Sequence, residues 1–159
     1  MINKETIKPP QGLLLLGFRM PVWLYRLGIG GILGKRMIYF EHTGRKSGLL
    51  CRSVIEVIRL DQENDAYYAV SAYGERADWF RNLMHTPRLK AQVGWRRFQA
   101  QVERLSQKEA LAEFEDYARR HPKLLKNLGG LLGLKLKGTQ EELVHLSEIM
   151  PVIVFRPVG

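Results

Sequence analysis

Residues 43–48 read Thr-Gly-Arg-Lys-Ser-Gly, which sets two cations and a hydroxyl between two glycines. Gly44 and Gly48 permit positive φ and close approach of a ligand to the backbone. Exposed N–H groups together with Arg45, Lys46 and Ser47 make a cradle for a phosphate or carboxylate. Arg52 follows four residues after Gly48, within reach of the same anion. On the residues alone, the stretch reads equally well as a hairpin tip carrying its charges into solvent. It is not a P-loop: Arg45 separates Gly44 from Lys46, and Tyr39 stands five positions before Gly44, where the distant glycine belongs.

A second constellation runs Ser71-Ala72-Tyr73-Gly74-Glu75-Arg76 and then Asp78-Trp79-Phe80-Arg81-Asn82. It reads as a strand that ends in a glycine turn and enters a helix rich in aromatics. The first N–H groups of such a helix are open to an anion or a carbonyl. Trp79 and Phe80 either wall a planar ring system or pack in the core, and for each residue alone packing is the commoner outcome. Glu56 interrupts the run Val54-Ile55-Glu56-Val57-Ile58, so it must be paired, exposed or functional, with pairing to a nearby Arg favoured. None of His42, His85, His121 and His145 has metal-ligand spacing, and no metal is expected. No Ser or Cys nucleophile motif is present. The single cysteine, Cys51, reads as a half-buried strand residue and suits a reducing compartment.

The elements that must position these residues follow from patterning. Strands are expected over 36–43, 50–60, 66–72, 89–93, 98–105 and 151–156. Gly94-Trp95-Arg96-Arg97 gives the tightest hairpin signal. A short helix is expected over 77–85, stopped by Pro87. Ser106 with Glu109 and Thr139 with Glu142 form capping-box patterns that open two helices, and Pro122 marks a restart between them. Leu111, Phe114, Tyr117 and Ala118 share one face of the first of these. Helical character is also expected over 13–27, broken by the glycines at 28, 30, 31 and 34. The strands do not alternate with crossover helices, so a doubly wound fold is disfavoured. The expected class is mainly β with peripheral helices (α+β), a small barrel of about six antiparallel strands. One domain is expected over 1–159. It comprises an N-terminal arm and helix (1–34), a barrel core (35–105), helices (106–149) and a closing strand (150–156).

Lys and Arg total 25 against 16 acidic residues, a net charge of +9. That favours an anionic partner: a phosphorylated or carboxylated cofactor, nucleic acid or an anionic membrane. The apolar stretch 13–33 is interrupted by Arg19, Pro21 and Arg26, whereas a spanning helix needs about 20 mostly apolar residues. Packing on the barrel is the expected role of this segment, with peripheral membrane contact as the alternative.

Taken in order, these pieces resemble the deazaflavin-dependent nitroreductase family, within the flavin-reductase-like split-barrel superfamily. The matching pieces are Gly44 to Gly48 with Arg52, Ser71 to Gly74, Trp79 to Leu83 with Pro87, Pro21 to Arg26, and the closing run Met150 to Pro157. The resemblance implies a split β-barrel binding the deazaflavin coenzyme F420. Arg45, Lys46, Ser47, Gly48 and Arg52 would take its phosphate and oligoglutamate tail. The ring system would lie along Val54, Ile55, Glu56 and Val57, along Val70, Ser71, Ala72, Tyr73 and Gly74, and along Asp78, Trp79, Phe80 and Asn82. The implied activity is hydride transfer to a quinone, nitroaromatic or activated alkene, with the chemistry supplied by the cofactor.

The chain departs from better-known members at Tyr73 (Lys there) and Glu75 (Gly there). It also has Lys123-Leu124-Leu125-Lys126 where they carry tyrosines after the matching proline. Tyr73 and Tyr117 are the candidate hydrogen-bond or proton donors to substrate, each equally a packing residue. Two alternatives stay open: an FMN-binding reductase of the same fold, or a non-enzymatic cofactor- or membrane-binding module. The expected partner is a small electron acceptor rather than nucleic acid, and a homodimer is a further option. The expected location is the cytoplasm, with association at the inner face of the membrane as an option.

Overall fold

A computed structural model describes residues 21–131 and 133–159. The N-terminal arm and the first part of the apolar segment lie outside the described residues. Residues 21–26 are helical. The glycine-rich stretch Gly30–Arg36 forms a 3-10 turn where the sequence suggested only a break. Six strands follow: β1 (Met37–Thr43), β2 (Leu50–Asp61), β3 (Ala66–Val70), β4 (Arg88–Val93), β5 (Arg96–Arg104) and β6 (Val152–Val158). The helices are α1 (Asp78–His85), α2 (Gln107–Arg120), α3 (Pro122–Leu131) and α4 (Gln140–Ile149).

The strands close into an antiparallel barrel in the order β1-β2-β3-β6-β5-β4. The hairpins β1–β2 and β4–β5 are local pairs, the second with the two-residue turn Gly94-Trp95. Closure depends on three distant pairings: β1 with β4, where Phe40 faces Ala91, β3 with β6, where Tyr68 faces Val154, and β5 with β6, where Val102 faces Phe155. Inward alternation on β1 buries Ile38, Phe40 and His42, and Met37, Tyr39 and Glu41 on its other face are half-buried.

β3 and β6 are buried on both faces, which is why Val152 to Phe155 is an unbroken apolar run. Their inward side chains, with Phe40, Leu83 and Phe155, fill the barrel. Their outward side chains meet α2 and α4 in a second cluster containing Phe114, Tyr117, Leu143 and Leu146. Both expected capping boxes form. The Ser106 hydroxyl accepts from the Glu109 N–H at 3.2 Å, and the Glu109 carboxylate accepts from the Ser106 N–H at 2.8 Å. Thr139 and Glu142 repeat the arrangement at the start of α4. Arg59 spans barrel and helix by pairing with Glu113 at 2.7 Å while lying over the Tyr68 ring. Among the described residues, no helix is long and apolar enough to cross a membrane and no group of three metal-ligating side chains forms.

Candidate functional site

In this closed barrel the first half of β2 is paired on one side only. From Leu50 to Glu56 it pairs with β1, but its pairing with β3 begins only at Val57. Among the described residues, one main-chain edge is therefore without a strand neighbour along seven residues, and alternate N–H and C=O groups there need partners. The inward side chains Cys51, Ser53, Ile55 and Val57 are only half-buried, although the facing β1 side chains are buried. Outward, Arg52 and Glu56 are exposed and Val54 is half-buried. Glu56 thus resolves by exposure, and among the described residues it makes no ion pair with an arginine.

The turn before β2 is closed by the Gly48 N–H donating to Gly44 O and the Gly44 N–H donating to Leu49 O, both at 2.8 Å. Gly48 has φ +70°, where a side chain would be strained. The Leu49 N–H donates to the Ser47 hydroxyl at 3.2 Å. The amides of Lys46 and Ser47 are not used in closing the turn. Lys46 is exposed and enters no ion pair among the described residues. Arg52 lies 3.9 Å from Glu41 on the outer face.

Arg45 behaves differently from its neighbour. Its N–H and its guanidinium both donate to Asn82 Oδ1, at 3.1 and 3.0 Å, and the guanidinium also reaches Asp78 at 3.1 Å. Asn82 in turn contacts His42 Nδ1 at 3.0 Å, and His42 Nε2 lies 3.0 Å from the Ser53 hydroxyl. His42 and Asn82 are buried, and burial lowers the His42 pKa to about 4, so its ring is neutral at neutral pH. The turn, α1 and the open half of β2 are therefore joined by one hydrogen-bonded chain.

The 71–74 segment enters from the other side. Ser71 is fully buried, and its hydroxyl donates to Gly74 O at 2.6 Å, which occupies it in the turn. Gly74 has φ +72°, and a Cβ there would sit 2.9 Å from Ile149 O. Ala72, Val70 and Tyr73 pack partly against the helix-side cluster, and Tyr73 touches the barrel cluster too. Burial raises the Tyr73 phenol. Phe80 is enclosed in the barrel core, so packing is its role here, while Trp79 is half-buried at 5.7 Å from Phe40. Tyr117 is buried on the barrel-facing side of α2, and its phenol is pushed up to about 12, first by burial and then by the Glu56 charge. The structure thus gathers the turn, the open half of β2 and the start of α1. It leaves Phe80 and Ser71 occupied internally. Sequence reading missed His42 and Ser53 as members of this group. The available signal was a histidine on the inward phase of β1, two residues before Gly44.

The family described as F420H(2)-dependent quinone reductase matches residues 18–129. No curated protein matches significantly. Among solved structures, an F420-H2 dependent reductase (FDR-A) aligns at 17% identity over 77% of this chain and 96% of its own, with TM-score 0.53. A pyridoxamine 5'-phosphate oxidase-related, FMN-binding protein from Nostoc punctiforme PCC 73102 aligns at 10% identity over 96% and 82%, with TM-score 0.54. A chain described as a domain-swapped dimer aligns at 16% identity over 86% and 99%, with TM-score 0.51. These similarities establish the flavin-reductase-like split-barrel fold. The family match extends over most of the sequence, including the turn, the open half of β2 and α1. The chain belongs to the F420H(2)-dependent quinone reductase family and is an oxidoreductase of that deazaflavin-dependent class.

Proposed function

We propose that the opening beside β2 is where this reductase holds F420, and that its acceptor is a quinone, with nitroaromatics and activated alkenes as further acceptors. The observation that carries this reading is the strand edge from Leu50 to Glu56, left without a β3 partner directly after the cationic turn. The chain's residues fit such a group. The unpaired edge offers main-chain donors and acceptors to a flat polar ring, and half-buried Ile55, Val57 and Trp79 offer it apolar contact. Lys46, with the Lys46 and Ser47 amides and Gly48, suits an anionic tail, and Arg52 extends the positive surface outward. When bound, the deazaflavin supplies the hydride, while the protein supplies position and electrostatics. Tyr73, packed against both apolar clusters just past the end of β3, is the donor candidate at this site, and its phenol is protonated at neutral pH.

Titration of the purified protein with F420, followed by coenzyme fluorescence, tests the reading. Binding in the micromolar range or tighter is expected, and its absence sinks the proposal. A yellow protein that releases FMN on denaturation would instead favour the FMN reading. The surface around the 3-10 turn Gly30–Arg36 bears on where the acceptor comes from. Trp23, Leu27, Ile29, Ile32 and Trp95 are exposed there, beside Arg26, Lys35 and Arg36. Apolar side chains ringed by cations suit peripheral contact with an anionic lipid surface. Salt-sensitive sedimentation with anionic vesicles is the expected result. A second copy covering the same patch would appear as a dimer on sizing.

A further inference from the structure

The chain from Asp78 through Arg45, Asn82 and His42 to Ser53 has only one consistent direction. Arginine carries donors and no acceptor. Two Arg45 donors converge on one atom of the Asn82 amide, so that atom is the oxygen. The other end of the amide is then NH2, and it donates to His42 Nδ1. A neutral imidazole that accepts at Nδ1 carries its proton on Nε2. His42 Nε2–H therefore donates to the Ser53 oxygen at 3.0 Å. Serine has a single proton, and with its oxygen already accepting, that proton is left to donate elsewhere. Ser53 lies on the inward face of the half of β2 that has no β3 neighbour, and it is half-buried.

We infer that Arg45, Asn82 and His42 are positioning residues, and that their directed hydrogen bonds make Ser53 a hydrogen-bond donor to the ligand held beside the open edge of β2. The acceptor is a carbonyl or ring nitrogen of a flat heterocycle, or the carbonyl of a bound quinone. This rests on the reading of that opening as the coenzyme site. It also divides the labour of the turn: Arg45 is held by protein partners with its side chain only 20% exposed, which leaves Lys46 to face an incoming anion.

Two measurements test it. Long-range 1H–15N correlation of the His42 ring in the ligand-free protein reports the tautomer directly. The Nε2–H form is expected, and in Asn82→Asp, which removes the amide donor, it should give way to the Nδ1–H form. Fluorescence titration with F420 gives the second readout. Ser53→Ala should weaken affinity about tenfold, the scale of one lost hydrogen bond, and Ser53→Thr, which keeps the hydroxyl, should restore most of it. An Nδ1–H tautomer in the wild type overturns the inference. So does a Ser53→Ala protein that binds F420 and turns it over as the wild type does. A wild type that binds no F420 strikes the coenzyme reading instead, and leaves the tautomer result standing as evidence on the chain's direction alone.

Discussion

Lys46 and Arg45 are adjacent cations with different fates, and the difference is geometric. Arg45 has a forked donor set that matches the Asn82 oxygen and the Asp78 carboxylate, whereas Lys46 is exposed and makes no ion pair among the described residues. Lys46→Ala should weaken F420 binding by about 1–3 kcal/mol, the range for a hydrogen bond to a charged group, and leave the melting temperature nearly unchanged. Titration beside thermal unfolding checks both halves, and a protein that unfolds with its affinity intact would make the turn structural. His42 gives a pH prediction. Its folded pKa is lowered from 6.5 to about 4, so the unfolded chain binds the extra proton between those values. Stability is then fully present above about pH 6.5 and is lost as pH falls toward 4, by about 1.4 kcal/mol per unit for one proton. The pH dependence of unfolding should flatten over that window in His42→Gln, which has no ionisable ring.

At the scale of elements, local devices set the ends of helices and turns. The Ser106 cap is a sequence-local bond, so Ser106→Ala should cost about 0.5–2 kcal/mol in denaturant unfolding without changing coenzyme affinity. Gly74 is held by more than its neighbours in sequence. Its positive φ and the nearby Ile149 carbonyl both disfavour a side chain. Gly74→Ala should therefore destabilise by about 1–3 kcal/mol and also displace Tyr73, so that affinity falls along with stability. Loss of stability with no change in binding would place the 71–74 turn outside the site. The two caps and the turn glycines were legible in the sequence because each involves residues within a few positions of one another. The 3-10 turn at Gly30–Arg36 was not, because its glycines read as breakers. Its packing involves Trp95 from a distant hairpin, whose ring occupies the space that a Gly31 side chain would need.

At the scale of the whole molecule, the barrel carries the open half of β2 on β1. Phe40 and Phe155 are fully buried with ring centroids 5.3 Å apart across the interior. Phe155→Ala should cost about 3–5 kcal/mol in chemical denaturation, and coenzyme binding should disappear only as the fold does. The net charge of +9 acts at long range. Raising ionic strength should weaken F420 binding by screening, and more for the wild type than for Lys46→Ala. A salt-independent affinity would remove the polyanionic tail from the explanation.

The amino-acid sequence by itself determined the strands, the capped helices and the cationic turn, because alternation, capping pairs and glycine placement act over a few residues. It also carried enough ordered motif to indicate the family. Only the tertiary structure decided which strands close the barrel, since β1–β4 and β3–β6 join segments about 50 to 85 residues apart with no local signature. It likewise decided that β2 outruns β3 and leaves an edge open. The direction of the polar chain from Arg45 to Ser53 belongs there too: its central contact joins Asn82 to a histidine 40 residues away, and two buried polar side chains require partners that only folding supplies.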